Sequence, residues 1–135
     1  MNRFTVEMMT AKMRSLFPKE PIPAQVLINL KELLRRVNPL LDAYVLATGN
    51  KVGGLSSGYR NPEYNTQIKG ARKSAHVEGK AIDIFDYSGR LKGWLKDQIA
   101  LKRFDLWMES EEDVSGWLHV DYKAGRDPNK RIFRA

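Results

Sequence analysis

The segment SAHVEGKAID, residues 74–83, holds a histidine in a loop of small residues and an aspartate on the element that follows. The residues after Gly79 are typical of a β-strand, in which Ala81 and Asp83 lie on one face. Gly79 permits a tight approach of the loop, so that the side chains of His76 and Asp83 can meet at one point. The small side chain of Ala81 leaves room for an ion beside them.

The second histidine of the chain lies on another predicted strand. Residues 117–122 read WLHVDY, and their alternation puts His119 and Asp121 on the same face. If this strand neighbours the strand of Asp83, then His76, Asp83 and His119 can converge on one metal with an open fourth position. The alternative for each histidine, taken singly, is a hydrogen-bonded structural residue.

Short helices and strands are predicted around these two strands. Apolar residues at helical spacing predict a helix within residues 4–17 and a second from Ala24 to Val37, which Asn38 and Pro39 should end. The other predicted elements are a brief strand within 53–58, a helix opened by Asn61 and Pro62 and ended by Gly70, a helix capped by Ser88 and running to about Leu101, and a strand at 104–109 that forms a hairpin with 117–122 across the polar stretch 110–116.

These elements predict an α+β fold, with a small antiparallel sheet and flanking helices. The tail from Lys123 either adds an edge strand or covers the core. The chain has 135 residues, which supply one core, so a single domain of residues 1–135 is expected. Its N-terminal helices within 1–48 should pack on the motif-bearing core at 53–135.

The amino-acid composition limits which partners and which metal or redox chemistry the chain can have. No apolar run approaches the length of a membrane span, and no stretch resembles a signal peptide, so neither is expected. The chain has no cysteine, which excludes disulfides and thiolate metal sites. A net charge of +7 favours an anionic partner. Because no nucleic-acid motif accompanies the scattered lysines and arginines, an anionic cell wall is preferred over a specific nucleic acid. A monomer is expected.

Three motifs in order resemble those of the zinc D-alanyl-D-alanine carboxypeptidases. They read SGYRNPEYN at 57–65, SAHVEGKAID at 74–83 and WLHV at 117–120. Relatives of that family include phage endolysins that cut the L-alanyl-D-glutamate bond, and the hedgehog signalling domain shares the fold. The resemblance implies a cofactor, Zn²⁺, with His76, Asp83 and His119 as its ligands, and it also favours a catalytic role for Arg60. Ser74 and Tyr59 are the candidate substrate-binding residues.

Arg60 follows a predicted strand, and its planar, permanently charged fork suits a scissile carbonyl or a substrate carboxylate. A surface ion pair is the alternative role for this arginine. Ser74 can bind substrate or hydrogen-bond the ligand loop, and Tyr59 can serve packing alone. Asp121 and a second acid, Asp86, are candidates for orienting a ligand histidine.

The family also needs a carboxylate as general base. Many members place a glutamate three residues before the last histidine, where this chain has Gly116. Other members end the preceding strand with that glutamate, in a pattern similar to FDLWME at 104–109, which makes Glu109 the first candidate. The alternatives are the acids of the following loop, Glu111, Glu112 and Asp113, whose other interpretation is a solvated hairpin tip.

The function that the resemblance implies is zinc-dependent hydrolysis of peptidoglycan stem peptides. The type is either D-Ala-D-Ala carboxypeptidase or L-Ala-D-Glu endopeptidase. A phage lysis or virion protein fits, cytoplasmic until release or virion-associated, and acting on the bacterial cell wall. The alternative is a non-catalytic zinc-binding domain of the same fold, structural or wall-binding, that kept the metal site and lost the base.

Overall fold

The structure, a computed structural model, describes residues 3–110 and 116–134. Within these residues the chain forms five helices and five strands, which confirms the α+β prediction. In that described part no helix is long and apolar enough to cross a membrane. The elements are α1 (Val6–Leu16), α2 (Ala24–Thr48), β1 (Leu55–Ser57), α3 (Pro62–Gln67), β2 (Ala81–Phe85), α4 (Arg90–Leu95), α5 (Ile99–Arg103), β3 (Trp107–Glu109), β4 (Trp117–Asp121) and β5 (Ile132–Phe133).

Helix α2 continues through Pro39, so the prediction that it ends at residues 38 and 39 is wrong. A proline inside a helix costs about 3 kcal/mol, whereas each large apolar side chain that is buried contributes about 1.5–3 kcal/mol. The Asn38 side chain is also satisfied inside the helix, because it accepts from the backbone N–H of Phe4 at 3.1 Å and donates to the Phe4 carbonyl at 3.0 Å. The fully buried side chains after the proline are Leu40, Leu41 and Tyr44.

One five-stranded sheet organises the second half of the chain, in the order β1-β2-β4-β3-β5. Strands β2 and β4 are antiparallel neighbours, and β3 pairs antiparallel with β4, as the predicted hairpin requires. The tail adds an edge strand, β5, which runs parallel to β3, so the sheet is mixed and not wholly antiparallel. The reason is that the chain reverses after β4 but lands on the far side of β3.

One face of the sheet is apolar and the other carries polar side chains. Ile82 and Ile84 of β2, with Leu118 and Val120 of β4, are at most 1% exposed and belong to one apolar cluster that also contains residues of α1 and α2. The other face carries the polar residues of the same strands. Helices therefore cover one face, and the opposite face remains for chemistry.

The helix predicted from Ser88 to about Leu101 is two helices, α4 and α5. The cap of α4 is Gly89 in the left-handed region, and the Asp86 carboxylate accepts two backbone N–H groups of that helix's first turn. The break before α5 lies at Gln98, whose φ is +66°. There the Gln98 side-chain oxygen accepts the backbone N–H of Arg131 at 2.8 Å, so a contact with the tail replaces helical continuation.

Candidate metal centre

The register of β2 and β4 places Asp83 directly opposite His119. Residues opposed in an antiparallel pair project from the same face with Cβ atoms about 4.5–5.5 Å apart. On the other side of β2, Ser57 of β1 is opposite Asp83. Three strands thus contribute one polar residue each to a line across the sheet.

The same line continues into β3 and β5. Trp107 is opposite Asp121 in the β3–β4 register, and Met108 is opposite Val120. One further step in that register sets Glu109 across from His119, on the face that carries Asp83. In the parallel pair, Glu109 is in turn matched with Phe133. The row of Ser57, Asp83, His119, Glu109 and Phe133, called the site row below, therefore crosses the sheet.

His76 reaches this face from the loop before β2. Its backbone N–H donates to Ser74 Oγ at 3.2 Å, which holds the turn closed. Gly79 ends the turn with a φ of +76°, and a Cβ there would lie 2.8 Å from the carbonyl oxygen of Val26 in α2. A side chain at this position would be strained both by the backbone angle and by the contact, so glycine lets the loop sit against α2.

Three ligand atoms converge on a single point. His76 Nε2 lies 3.2 Å from Asp83 Oδ1, and His119 Nδ1 lies 2.8 Å from the same oxygen. All three residues offer atoms within 4.8 Å of one another. A tetrahedral zinc ion with bonds of about 2.0–2.1 Å holds its ligand atoms about 3.3 Å apart. Within the part of the chain that the structure describes, no other group of three histidines, cysteines or acids is arranged to hold a metal ion.

The outer nitrogen of each imidazole has its own partner. His76 Nδ1 lies 2.9 Å from the carbonyl oxygen of Gly58, which can only accept, so this nitrogen carries the proton. His119 Nε2 lies 2.8 Å from Asp121 Oδ2 and donates to it. Each ring therefore turns its other nitrogen toward Asp83, which is the arrangement that metal-binding histidines adopt. The residues present fit a zinc ion.

The charges in the cluster also favour a cation. Burial lowers the pKa of His119, but hydrogen bonds to Asp121 and Asp83 outweigh it and raise the pKa to about 9. Burial raises the pKa of Asp83, yet its hydrogen bonds with His119 and His76 hold that pKa well below the usual range of an aspartate. A positive charge between the two carboxylates is thus stabilised, and a divalent ion suits the same position.

Arg60 is brought to the edge of the cluster. Its Nη2 lies 3.5 Å from Asp83 Oδ2, and its Nε donates to Ser57 Oγ at 3.1 Å. The Arg60 side chain is 17% exposed, so one side of it faces solvent. The ion pair that sequence reasoning weighed as an alternative exists, but its partner is Asp83, a member of the cluster.

Ser74 and Tyr59 occupy structural positions. Ser74 Oγ accepts the backbone N–H of His76 in the ligand loop, and the substrate-binding role of Ser74 stays a prediction. Tyr59 is 5% exposed and lines a cavity of about 220 Å³ beneath α1, with Met9 and Met13 among its other walls. Little of its ring can contact a substrate, so the packing role is favoured, and its substrate-binding role stays a prediction.

The acidic residues considered as base or as partner of a histidine lie in different places. Glu109 lies in the site row, whereas the alternative bases Glu111, Glu112 and Asp113 lie outside the described residues. Asp121 orients His119, as one prediction had it. Asp86 does not, because its carboxylate caps α4 instead.

Two residues of the site were missed by sequence reasoning. Arg126 pairs with Asp121 through Nε at 2.7 Å and Nη2 at 2.8 Å. Phe133 packs its ring at 83° to the His119 ring, with centroids 5.9 Å apart. Both lie in the basic tail, which has no periodic pattern after β4, so the sequence carried no signal for their position.

Comparison with known proteins adds one positive finding. A family model described as Peptidase M15 matches residues 2–121. The match includes the three candidate ligands, Arg60 and Glu109, and it ends before the tail. No curated protein and no solved structure matches the chain.

Proposed function

The chain belongs to the peptidase M15 family, and from this membership we propose that it is a zinc-dependent peptidase acting on the stem peptides of bacterial peptidoglycan. The proposed ligands are His76, Asp83 and His119, the proposed base is Glu109, and the proposed oxyanion donor is Arg60. The whole chain acts as one catalytic domain and as a monomer.

The observation that carries the proposal is the convergence of His76, Asp83 and His119 on one point, with Glu109 at the end of the neighbouring strand β3. Two imidazoles and one carboxylate leave the fourth position of a tetrahedral site open to water or substrate. Strand β3, which ends with Glu109, neighbours the strand of the proposed ligand His119, and this neighbourhood supports Glu109 as the proposed base. Hydrolysis requires a base at this place.

His76, Asp83 and His119 would hold the zinc ion, which would supply a Lewis acid and would make water a stronger nucleophile near neutral pH. The Glu109 carboxylate accepts a proton from the attacking water and later gives it to the amine that leaves. One side chain thereby carries the proton from nucleophile to leaving group and is regenerated. Positioned proton transfer of this kind contributes a factor of about 10²–10⁴ in rate.

Arg60 stabilises the negative charge that develops on the scissile carbonyl oxygen. The contacts with Ser57 and Asp83 fix its guanidinium at the cluster and use only some of its five N–H donors. The remaining donors can meet the carbonyl without reorganisation. One such donor is typically worth about 3 kcal/mol of transition-state stabilisation.

The substrate class follows from the family and from the charge. Stem peptides carry free carboxylates within an anionic wall, and the protein has a net charge of +7. The cleaved bond is either D-Ala-D-Ala or L-Ala-D-Glu. We place the protein in phage lysis or in the virion, cytoplasmic until release or virion-associated, with the cell wall as its site of action.

Purified muropeptides test the proposed function directly. The protein is incubated with stem peptides that end in D-Ala-D-Ala and with stem peptides that retain the L-Ala-D-Glu bond, with zinc and after chelation. We expect products of one cleavage, identified by mass, only when zinc is present. Intact peptides in every sample, despite bound zinc, would contradict the proposal.

That contrary result would favour a non-catalytic zinc-binding domain, structural or wall-binding. The observation in favour of this alternative is Gly116, which has a φ of +85°. It lies three residues before His119, where many zinc D-alanyl-D-alanine carboxypeptidases have a glutamate. The non-catalytic alternative loses this support if Glu109 serves as the base.

Salt should separate attraction to the wall from the chemistry. We expect the rate on intact cell walls to fall as sodium chloride rises, while the rate on a short soluble peptide changes much less. The physical reason is that ions screen the attraction of the +7 protein to an anionic polymer beyond a Debye length of about 8 Å. If the initial rates on both substrates fell equally with salt, the positive charge would not serve to attract the protein to the wall.

A further inference from the structure

The carboxylate behind His119 is unusually well fixed. Asp121 is 0% exposed, and both of its oxygens are occupied. Oδ1 accepts from the backbone N–H of Lys123 at 3.2 Å and from Arg126 Nε at 2.7 Å. Oδ2 accepts from Arg126 Nη2 at 2.8 Å and from His119 Nε2 at 2.8 Å. Arg126 therefore binds the Asp121 carboxylate through two hydrogen bonds. One of them is accepted by Oδ2, the same oxygen that accepts from His119.

Arg126 is itself held by the end of the chain. Its guanidinium carbon lies 3.4 Å from the centroid of the Phe133 ring, a close cation–π stack. Phe133 also meets the His119 ring edge to face. His119 is thus fixed from two directions, by a carboxylate that Arg126 orients and by a ring against which Arg126 stacks.

We propose that Arg126, acting through Asp121, is a positioning residue that fixes the tautomer and the ring angle of His119 for metal binding. The tail that follows β4 is then a working part of the metal centre, although it lies beyond the family match at residues 2–121. This inference rests on the proposed zinc site. It assigns to Arg126 no contact with metal or substrate.

A purely structural role for the same pair makes a different prediction. A buried ion pair can serve only to compensate its own charges, and its loss then lowers stability without a specific effect on one histidine. The shared oxygen Oδ2 argues against this, because any movement of Arg126 changes the acceptor of His119 Nε2. The two roles can therefore be separated by measuring zinc affinity and unfolding independently.

The test uses Asp121→Asn, Arg126→Gln and the double variant. Zinc dissociation constants are measured by competition with a chelator, without substrate. We expect Asp121→Asn to weaken zinc binding about 10- to 100-fold, the usual effect of losing such a partner. Arg126→Gln should weaken it by a smaller factor, and the double variant should lose no more than Asp121→Asn alone, because the two residues act as one unit.

Arg131→Gln is the matched control, since it removes another arginine of the tail. Arg131 pairs with Asp105 at 2.8 Å and stacks on Trp107, with no contact to His119. We expect its zinc affinity to stay within about twofold of wild type. Equal weakening by Arg131→Gln and Arg126→Gln would overturn the proposal, as would wild-type affinity in Asp121→Asn.

A spectroscopic signature reports on His119 itself. Zinc-loaded wild type should show a slowly exchanging Nε2 proton of His119 in nitrogen-edited NMR spectra, and Arg126→Gln should lose its protection from exchange. Retained protection would contradict the positioning role. If Asp121→Asn does not fold, Arg126→Gln carries the test, because Arg126 is partly exposed and its change leaves the carboxylate in place.

The result can be told apart from a failure of the proposed function. Wild type that binds zinc but cleaves no stem peptide would remove the proposed activity and leave the positioning role standing. Wild type that binds no zinc would overturn both.

Discussion

Replacing Glu109 by glutamine is expected to lower the turnover of stem peptides by a factor of about 100 to 10,000. Glutamine keeps the volume of the side chain and its hydrogen bonding, but it cannot accept a proton. The ligands are unchanged, so the variant should still bind about one zinc per chain. Turnover and zinc content are measured on the same sample, with the unfolding midpoint as a check on the fold.

The acids of the following loop provide matched controls for that experiment. Glu111→Gln, Glu112→Gln and Asp113→Asn remove a carboxylate within a few residues of Glu109, and each should change turnover little. A large loss at one of them, with Glu109→Gln active, would move the base into the loop. It would also mean that a place in the site row is not sufficient to identify the general base.

Alanine at His119 is expected to abolish stoichiometric zinc binding, and with it activity. Three ligands are the minimum of a catalytic zinc site, and the chain has no cysteine and only one other histidine to substitute. His76→Ala and Asp83→Ala should give the same result. Metal content after dialysis, measured by plasma mass spectrometry, checks this. Retention of one zinc by His119→Ala would exclude the proposed site.

Asp86 offers a matched control for the loss at Asp83. Both aspartates are buried, with Asp86 8% and Asp83 6% exposed, and they lie three positions apart. Asp86 accepts backbone N–H groups of α4, a role that an asparagine can partly fill. Asp86→Asn should therefore keep its zinc, whereas Asp83→Asn should lose it.

The centre of the site was predictable because its information is local. The alternation of 81–85 and of 117–121 fixes which side chains share a face, and a turn of small residues carries His76. Only one further fact was needed, that β2 and β4 are neighbours. With that pairing, an aspartate and a histidine far apart in sequence become cross-strand partners.

Predictions failed where tertiary contacts overruled local signals. Pro39 should end a helix, but burial of the residues after it outweighs the break. At the division between α4 and α5, the Gln98 side chain accepts a hydrogen bond from the tail, which no local pattern could indicate. Arg126 and Phe133 follow no period at all, and their places are set by Asp121 and β3. Such contacts leave no trace in a window of ten residues.

The cross-strand pairing of Asp83 with His119 ties metal binding to folding. The two residues are 36 positions apart, so the unfolded chain cannot hold them together without closing a long loop. Zinc at the proposed site would then bind the native state far better than the unfolded one, and free zinc at a thousand times its dissociation constant would add about 4 kcal/mol to the free energy of unfolding. A chelator should consequently expose the chain to proteases, and the melting temperature should follow the concentration of free zinc.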